Sequence, residues 1–103
     1  MTDITAQELK ERIDRGDSLI LIDVREPYEH TEYNIGGQLA SLQTSLPYKI
    51  MELAGKENQE IIVYCRSGNR SGIAKQMFIK AGFNNVRNLL GGMLYWRELF
   101  GPY

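Results

Sequence analysis

Two short apolar runs, Leu19-Ile-Leu-Ile22 and Ile61-Ile-Val-Tyr64, place the strongest limit on how this chain can fold. Each run is continuous, lacking the alternation of a strand that faces water on one side, and each is too short and too rich in strand formers for a helix. A strand that is apolar at every position is covered on both faces, as parallel strands are between layers of helices. Parallel neighbours also need long crossover connections, which are usually helical and nearly always right-handed.

The sequence supplies those crossovers. Thr5-Ala-Gln-Glu8 has capping-box spacing, Leu9 and Ile13 follow at i, i+4, and Gly16 offers a left-handed stop, so a helix is predicted over about residues 6–15. Leu46 to Leu53 reads as a second helix, with Pro47 near its start and Gly55 after its end. Ile73, Ala74, Met77, Phe78 and Ala81 recur at helical spacing up to Gly82. Val86–Leu90 is a third strand candidate and Gly91-Gly92 a turn. Met93–Phe100 is a last helix, with Leu94, Trp96 or Leu99 facing inward. The least regular stretch begins at Pro27: Tyr28–Asn34 suggests a short helical turn or loop, and Gly36-Gly37 breaks the chain before Gln38–Leu42. Tyr64, Tyr95 and Tyr103 read as core or edge residues. Strands alternating with helices imply an α/β fold, a parallel sheet with helices on both faces.

At 103 residues, 43% apolar and 24% charged, the chain is expected to be a single domain spanning residues 1–103. No apolar stretch is long enough to span a bilayer, and the N-terminus lacks the basic-then-apolar pattern of a signal peptide, so a soluble, cytoplasmic protein with no membrane partner is expected. Charge is unevenly spread. Residues 1–60 carry six Lys/Arg against twelve Asp/Glu, whereas residues 61–103 carry six Lys/Arg against Glu98 alone. The basic residues stand singly, with no dense run or aromatic ladder, which argues against nucleic acid and for a small anionic ligand. One cysteine and one histidine cannot close a zinc site, and neither metal nor cofactor is expected.

That cysteine, Cys65, follows the second apolar run and opens a basic loop, Cys65-Arg-Ser-Gly-Asn-Arg-Ser71, ahead of a helix. In a parallel sheet, ligands bind beyond the carboxyl ends of strands, so Cys65 and Asp23, each ending a run, should emerge on the same edge. Gly68 and Asn69 are the residue types that most readily take positive φ, which lets successive backbone N–H groups turn inward as an anion nest. No acid lies between Glu60 and Glu98, although helices ordinarily place one in their first turn. A thiol at a helix N-terminus beside arginines should ionise below its usual range.

Three segments, Asp23-Val-Arg-Glu-Pro-Tyr-Glu29, Cys65-Arg-Ser-Gly-Asn-Arg-Ser71 and Leu90-Gly-Gly-Met-Leu-Tyr-Trp96, resemble in order and spacing the signatures of a single-domain rhodanese. The resemblance covers nearly the whole chain and implies a three-layer sandwich with a mostly parallel sheet of about five strands. It implies a sulfurtransferase in which Cys65 takes the sulfane sulfur of a donor such as thiosulfate, forms a persulfide, and passes the outer sulfur to cyanide, a thiol or a partner protein. By the same resemblance Arg66 and Arg70 attract and orient the donor, with Ser67, Gly68 and Asn69 completing the substrate loop. Asp23 and Ser71 support that loop, Arg25 and Glu29 form a structural ion pair, and Gly91, Gly92 and Trp96 shape the final turn and core. Family members carry a Gly-His-Ile-Pro-Gly-Ala run where this chain has Tyr33-Asn-Ile-Gly-Gly-Gln38, so the family pattern gives no guide to residues 33–45. His30 lies outside that histidine position and is expected to be an exposed or capping residue.

Two other classes compete. Cysteine phosphatases and arsenate reductases of the same fold place an arginine six positions after the cysteine; here that position is Ser71, and Arg70 comes one residue early. A persulfide carrier fed by a protein donor, or a non-enzymatic interaction module, is the second alternative, and the intact Cys65 argues against the module.

Overall fold

The computed structural model describes residues 2–101. In chain order the elements are α1 (Ala6–Asp14), β1 (Ile20–Asp23), α2 (Pro27–Glu32), β2 (Gln38–Leu39), α3 (Leu46–Glu52), β3 (Ile61–Tyr64), α4 (Asn69–Lys80), β4 (Val86–Asn88) and α5 (Gly92–Phe100). The strands form a sheet in the order β2-β1-β3-β4, with every pairing parallel. Both apolar runs occupy its centre, where Ile22 pairs with Val63 and Asp23 with Tyr64.

Side-chain alternation divides the core into two layers. Ile22, Val24, Ile61, Val63 and Cys65 face Leu46 of α3 and Ala74 and Phe78 of α4. Leu21, Ile62 and Tyr64 face the other way, against Leu9 of α1 and Met93 and Trp96 of α5. All four residues of β3 are fully buried, which accounts for the unbroken apolar run in the sequence. Among the described residues, no helix is long and apolar enough to cross a membrane.

The sheet has four strands where about five were expected. The missing edge shrinks to a single-residue bridge between Ile4 and Leu89: Thr5 already caps α1, and ahead of Ile4 the Asn88 N–H donates to the Asp3 carboxylate. Thr5 Oγ1 accepts the Glu8 N–H as predicted, but the Glu8 carboxylate turns away to Arg87 instead of closing the capping box. Helix α4 starts at Asn69, so three residues assigned to the cysteine loop form the first helical turn. In α5 the inward residues are Met93 and Trp96; Leu94 and Leu99 are 46% and 39% exposed. Ile73 of α4 is likewise exposed, leaving Ala74 and Phe78 as the buried stripe. Tyr64 is a core residue and Tyr95 is exposed, while Tyr103 lies outside the described residues.

The stretch that the sequence left irregular joins the sheet edge after all. Ala40 N–H donates to Asp23 O (2.8 Å) and Leu42 N–H to Val24 O (3.1 Å). Gly37 is required here by close approach: a Cβ at that position would lie 2.6 Å from Tyr64 Cε1 and 2.8 Å from its hydroxyl. Because the Tyr64 ring is fully buried, it has little room to yield. Gly37→Ala is therefore expected to lower stability by about 1–3 kcal/mol, the usual cost of overpacking, measured as a shift in the urea midpoint at unchanged m.

Candidate active site

Cys65 stands one residue beyond β3, at the carboxyl edge of the sheet, and its side chain is fully buried. Three donors surround the sulfur: the Gly68 N–H at 3.1 Å, the Ser71 N–H at 3.3 Å and the Ser71 hydroxyl at 3.2 Å. Gly68 makes this possible by adopting φ +106°, which turns the chain back over the thiol. Asn69, expected to share that conformation, is instead an ordinary residue of α4.

The amides point inward because the carbonyls are held outward. Met93 N–H donates to Cys65 O and Leu94 N–H to Arg66 O, both at 2.9 Å, so the N-terminus of α5 fixes two peptide planes of the loop. A trans peptide carries its N–H opposite its C=O, and the Arg66 and Ser67 N–H groups are thereby aimed at the loop interior. Gly68 O is held from the far side by Gly72 N–H (2.9 Å) and by Asn88 Nδ2 (3.1 Å). Such an approach of α5 tolerates only glycine at its start. Gly92 has φ +56°, and a Cβ there would lie 2.5 Å from Arg66 O and 2.6 Å from Cys65 O.

Burial raises the ionisation range of the Cys65 thiol, but the Ser71 hydroxyl and the amides of Ser71, Gly68 and Ser67 favour the thiolate more strongly, and the net shift is downward. No acid occupies the first turn of α4.

The two loop arginines are placed differently. Arg66 is exposed and makes no ion pair among the described residues, whereas Arg70 forms a bidentate pair with Glu29 of α2 (2.7 and 3.0 Å). The Arg70 hydrogen bond holds the Glu29 carboxyl below the usual carboxylate range, so the stability contributed by this pair is present above that range and lost as pH falls through the depressed value. Glu29 was expected to pair with Arg25. Arg25 instead makes a buried bidentate pair with Asp23 (2.9 and 2.8 Å), two residues away on the same strand end, and donates to Tyr33 O at 2.6 Å. His30 is neither exposed nor a cap: its Nδ1 lies 2.8 Å from Asp23 Oδ2. Among the described residues no bond joins the Asp23 carboxylate to residues 65–71; it anchors Arg25 and α2, and α2 carries the Glu29 that holds Arg70. Ser67 is exposed, and its neighbour Arg66 lines a cleft of about 290 Å³ between α2 and α5 together with Tyr28, Glu32, Leu94 and Arg97. Asn88 is a loop-holding residue that the sequence reading missed, and Glu29 is one whose partner it misassigned. Asn88 carries no motif signal, and each acts through a contact distant in sequence.

Fold and site together define a parallel α/β domain that encloses one thiol in a ring of amide and hydroxyl donors. The chain belongs to the rhodanese-like domain family, whose model matches residues 5–99. It is similar to the putative sulfur carrier protein YrkF of Bacillus subtilis, 34% identical over 94 residues covering 91% of this chain and 50% of that protein. It is also similar to a sulfurtransferase of Allochromatium vinosum, 28% identical over 93% of this chain and 88% of that one. A crystal structure of a rhodanese-related protein from Thermoplasma volcanium superposes with a TM-score of 0.79 at 27% identity, covering 99% of this chain and 96% of that one. The chain spans about half the length of the Bacillus subtilis relative and of an uncharacterised Synechocystis relative. Of these relatives, one is named a putative sulfur carrier and one a sulfurtransferase.

Two substitutions test the geometry. Ser71→Ala is expected to raise the pH midpoint of Cys65 alkylation by about one unit, the size of one hydrogen bond to a charged group. Gly92→Ala should destabilise the fold by about 3 kcal/mol, combining left-handed strain with a backbone collision, and should raise the same midpoint by loosening the amide ring.

Proposed function

We propose that the chain moves a sulfane sulfur from thiosulfate, or a related small anionic donor, to a thiophilic acceptor through a persulfide on Cys65. The observation that carries this reading is the ring of donors around a thiol with a lowered ionisation range, in a loop that contains no acid. Attack of the Cys65 thiolate on the sulfane sulfur forms the new S–S bond, breaks the S–S bond of thiosulfate and releases sulfite, with charge conserved. The outer sulfur then carries the negative charge, and the inward amides of the loop suit an anion of that size. An acceptor thiol attacks that outer sulfur, its proton passes to the transferred sulfur, and Cys65 departs as thiolate. Cyanide in the same role yields thiocyanate. Arg66, exposed and without an ion pair among the described residues, is the guanidinium available to the incoming anion, whereas Arg70 is tied to Glu29 and serves the loop.

A persulfide carrier fed by a partner protein is the second reading, favoured by the likeness to a putative sulfur carrier. A phosphatase reading is weaker, since Ser71 occupies the position of the required arginine and its hydroxyl is directed to the sulfur and to Asn88.

Intact-mass measurement after incubation with thiosulfate is expected to show one added sulfur atom on the wild type, removed by cyanide with release of thiocyanate, and no addition on Cys65→Ser. Arg66→Ala is expected to raise the KM for thiosulfate about tenfold, as loss of one charge-assisted contact does, with kcat less affected. Absence of the added sulfur at every thiosulfate concentration overturns the thiosulfate assignment. Loading by a protein persulfide donor under those same conditions would establish the carrier.

A further inference from the structure

The Ser71 hydroxyl has one proton and two acceptors. Its oxygen lies 3.2 Å from Cys65 Sγ and 2.6 Å from Asn88 Oδ1. The Asn88 side chain cannot reverse to relieve the competition. Its Nδ2 donates to Gly68 O at 3.1 Å, and turning the amide over would set Oδ1 against that carbonyl, acceptor facing acceptor. Its backbone is pinned as well, Asn88 N–H donating to Asp3 Oδ1 at 3.0 Å. The short contact to Asn88 is the one that a neutral site satisfies in full: the thiol S–H donates to Ser71 Oγ, and Ser71 O–H donates to Asn88. When Cys65 is ionised, the sulfur has no proton to give and calls for one, so the hydroxyl must turn from Asn88 to the sulfur. Asn88 Oδ1 then loses the Ser71 hydroxyl as its donor.

We propose that Asn88 is a positioning residue that sets the reactivity of Cys65 through Ser71, by competing with the sulfur for the hydroxyl proton. The hydroxyl acts as a rotor with two stops. It rests on Asn88 while the sulfur is a thiol, and equally while the sulfur is the inner, uncharged atom of a persulfide. It swings to the sulfur when Cys65 attacks or leaves as thiolate, so its stabilisation is delivered where charge develops on that atom. No proton is transferred; only the direction of one O–H bond changes. The part of this cycle that involves the persulfide rests on the function proposed above, whereas the competition itself is a property of the reduced protein.

The charged groups around the thiol do not substitute for this arrangement. Arg70 of α4 is committed to Glu29 of α2, the Arg66 side chain makes no bond to the site among the described residues, and Asp3 behind Asn88 is paired with Lys75 of α4. From α5 the site receives the Met93 amide, which bonds the Cys65 carbonyl, not the sulfur.

The test follows alkylation of the reduced protein by a neutral reagent, iodoacetamide, across pH, which needs no sulfur donor and so can fail or succeed independently of sulfur transfer. Asn88→Leu keeps the bulk and removes the acceptor. It is expected to lower the thiol midpoint and to speed alkylation about three- to tenfold at pH values below that midpoint, the range of one modest hydrogen bond. On the Ser71→Ala background the same change is expected to have no effect, because the shared proton is gone. A residue that merely holds the Gly68 carbonyl gives the opposite sign, since loosening the loop raises the midpoint; that result, or an equal shift in both backgrounds, overturns the proposal. Should Asn88→Leu fail to fold, the wild type itself decides. Below the thiol midpoint its infrared S–H stretch is expected at lower frequency than that of a free thiol, returning toward the free value in Ser71→Ala, and an unshifted wild-type band overturns the proposal.

Discussion

The meeting of the α5 N-terminus with the end of β3 is the contact on which the site depends. Helix N-termini present unpaired N–H groups, and loops that ring an anion must turn their carbonyls elsewhere. In this chain each requirement answers the other: the Met93 and Leu94 amides take the Cys65 and Arg66 carbonyls, and the loop amides are free to face the sulfur. The same contact explains why a paired glycine precedes the last helix. Gly91 and Gly92 both take positive φ, and Gly92 lies so close to the Cys65 and Arg66 backbone that no side chain fits between them.

A second line of support runs across the top of the sheet through charge. Asp23 and Arg25 are buried together at the end of β1, with the guanidinium 5.6 Å from the centre of the Tyr64 ring and donating to Tyr33 O. Breaking such a pair would strand a buried charge, so its geometry is strongly held. It fixes the entry to α2 and the irregular chain after it, and α2 then offers Glu29 to Arg70. Two acidic residues in one motif therefore act at different distances from the thiol, Asp23 through α2 and Glu29 directly on the loop arginine. The two loop arginines divide accordingly into one that is structural and one that is open.

Much of this was legible in the sequence because it is written locally. The uninterrupted apolar tetrads specify central parallel strands, and Gly68 marks the backbone reversal beside Cys65. What was misread is set by contacts far apart along the chain. Glu29 could reach either Arg25 or Arg70, and only the depth at which Asp23 captures Arg25 decides between them. The inward face of α5 depends on the rotation at which Met93 and Leu94 dock on the loop, so Leu94 and Leu99 turn outward despite their character. Asn88 looks like an ordinary strand-end residue until α4 brings Ser71 and Gly68 against it. The segment around Gly37 has no regular pattern because its conformation is dictated by the tyrosine beneath it.

The order in which these parts leave the ribosome has a consequence of its own. Cys65 emerges well before Gly92, Met93 and Leu94, yet the two carbonyls that orient its loop are secured only once those residues have docked. Until then the thiol lacks the amide ring and the buried position that distinguish it, and it behaves as any cysteine of an unfolded chain. The environment that lowers the ionisation range of the thiol is thus completed only by the last helix, and a chain from which that helix has come away keeps its cysteine without the arrangement that holds the amides inward.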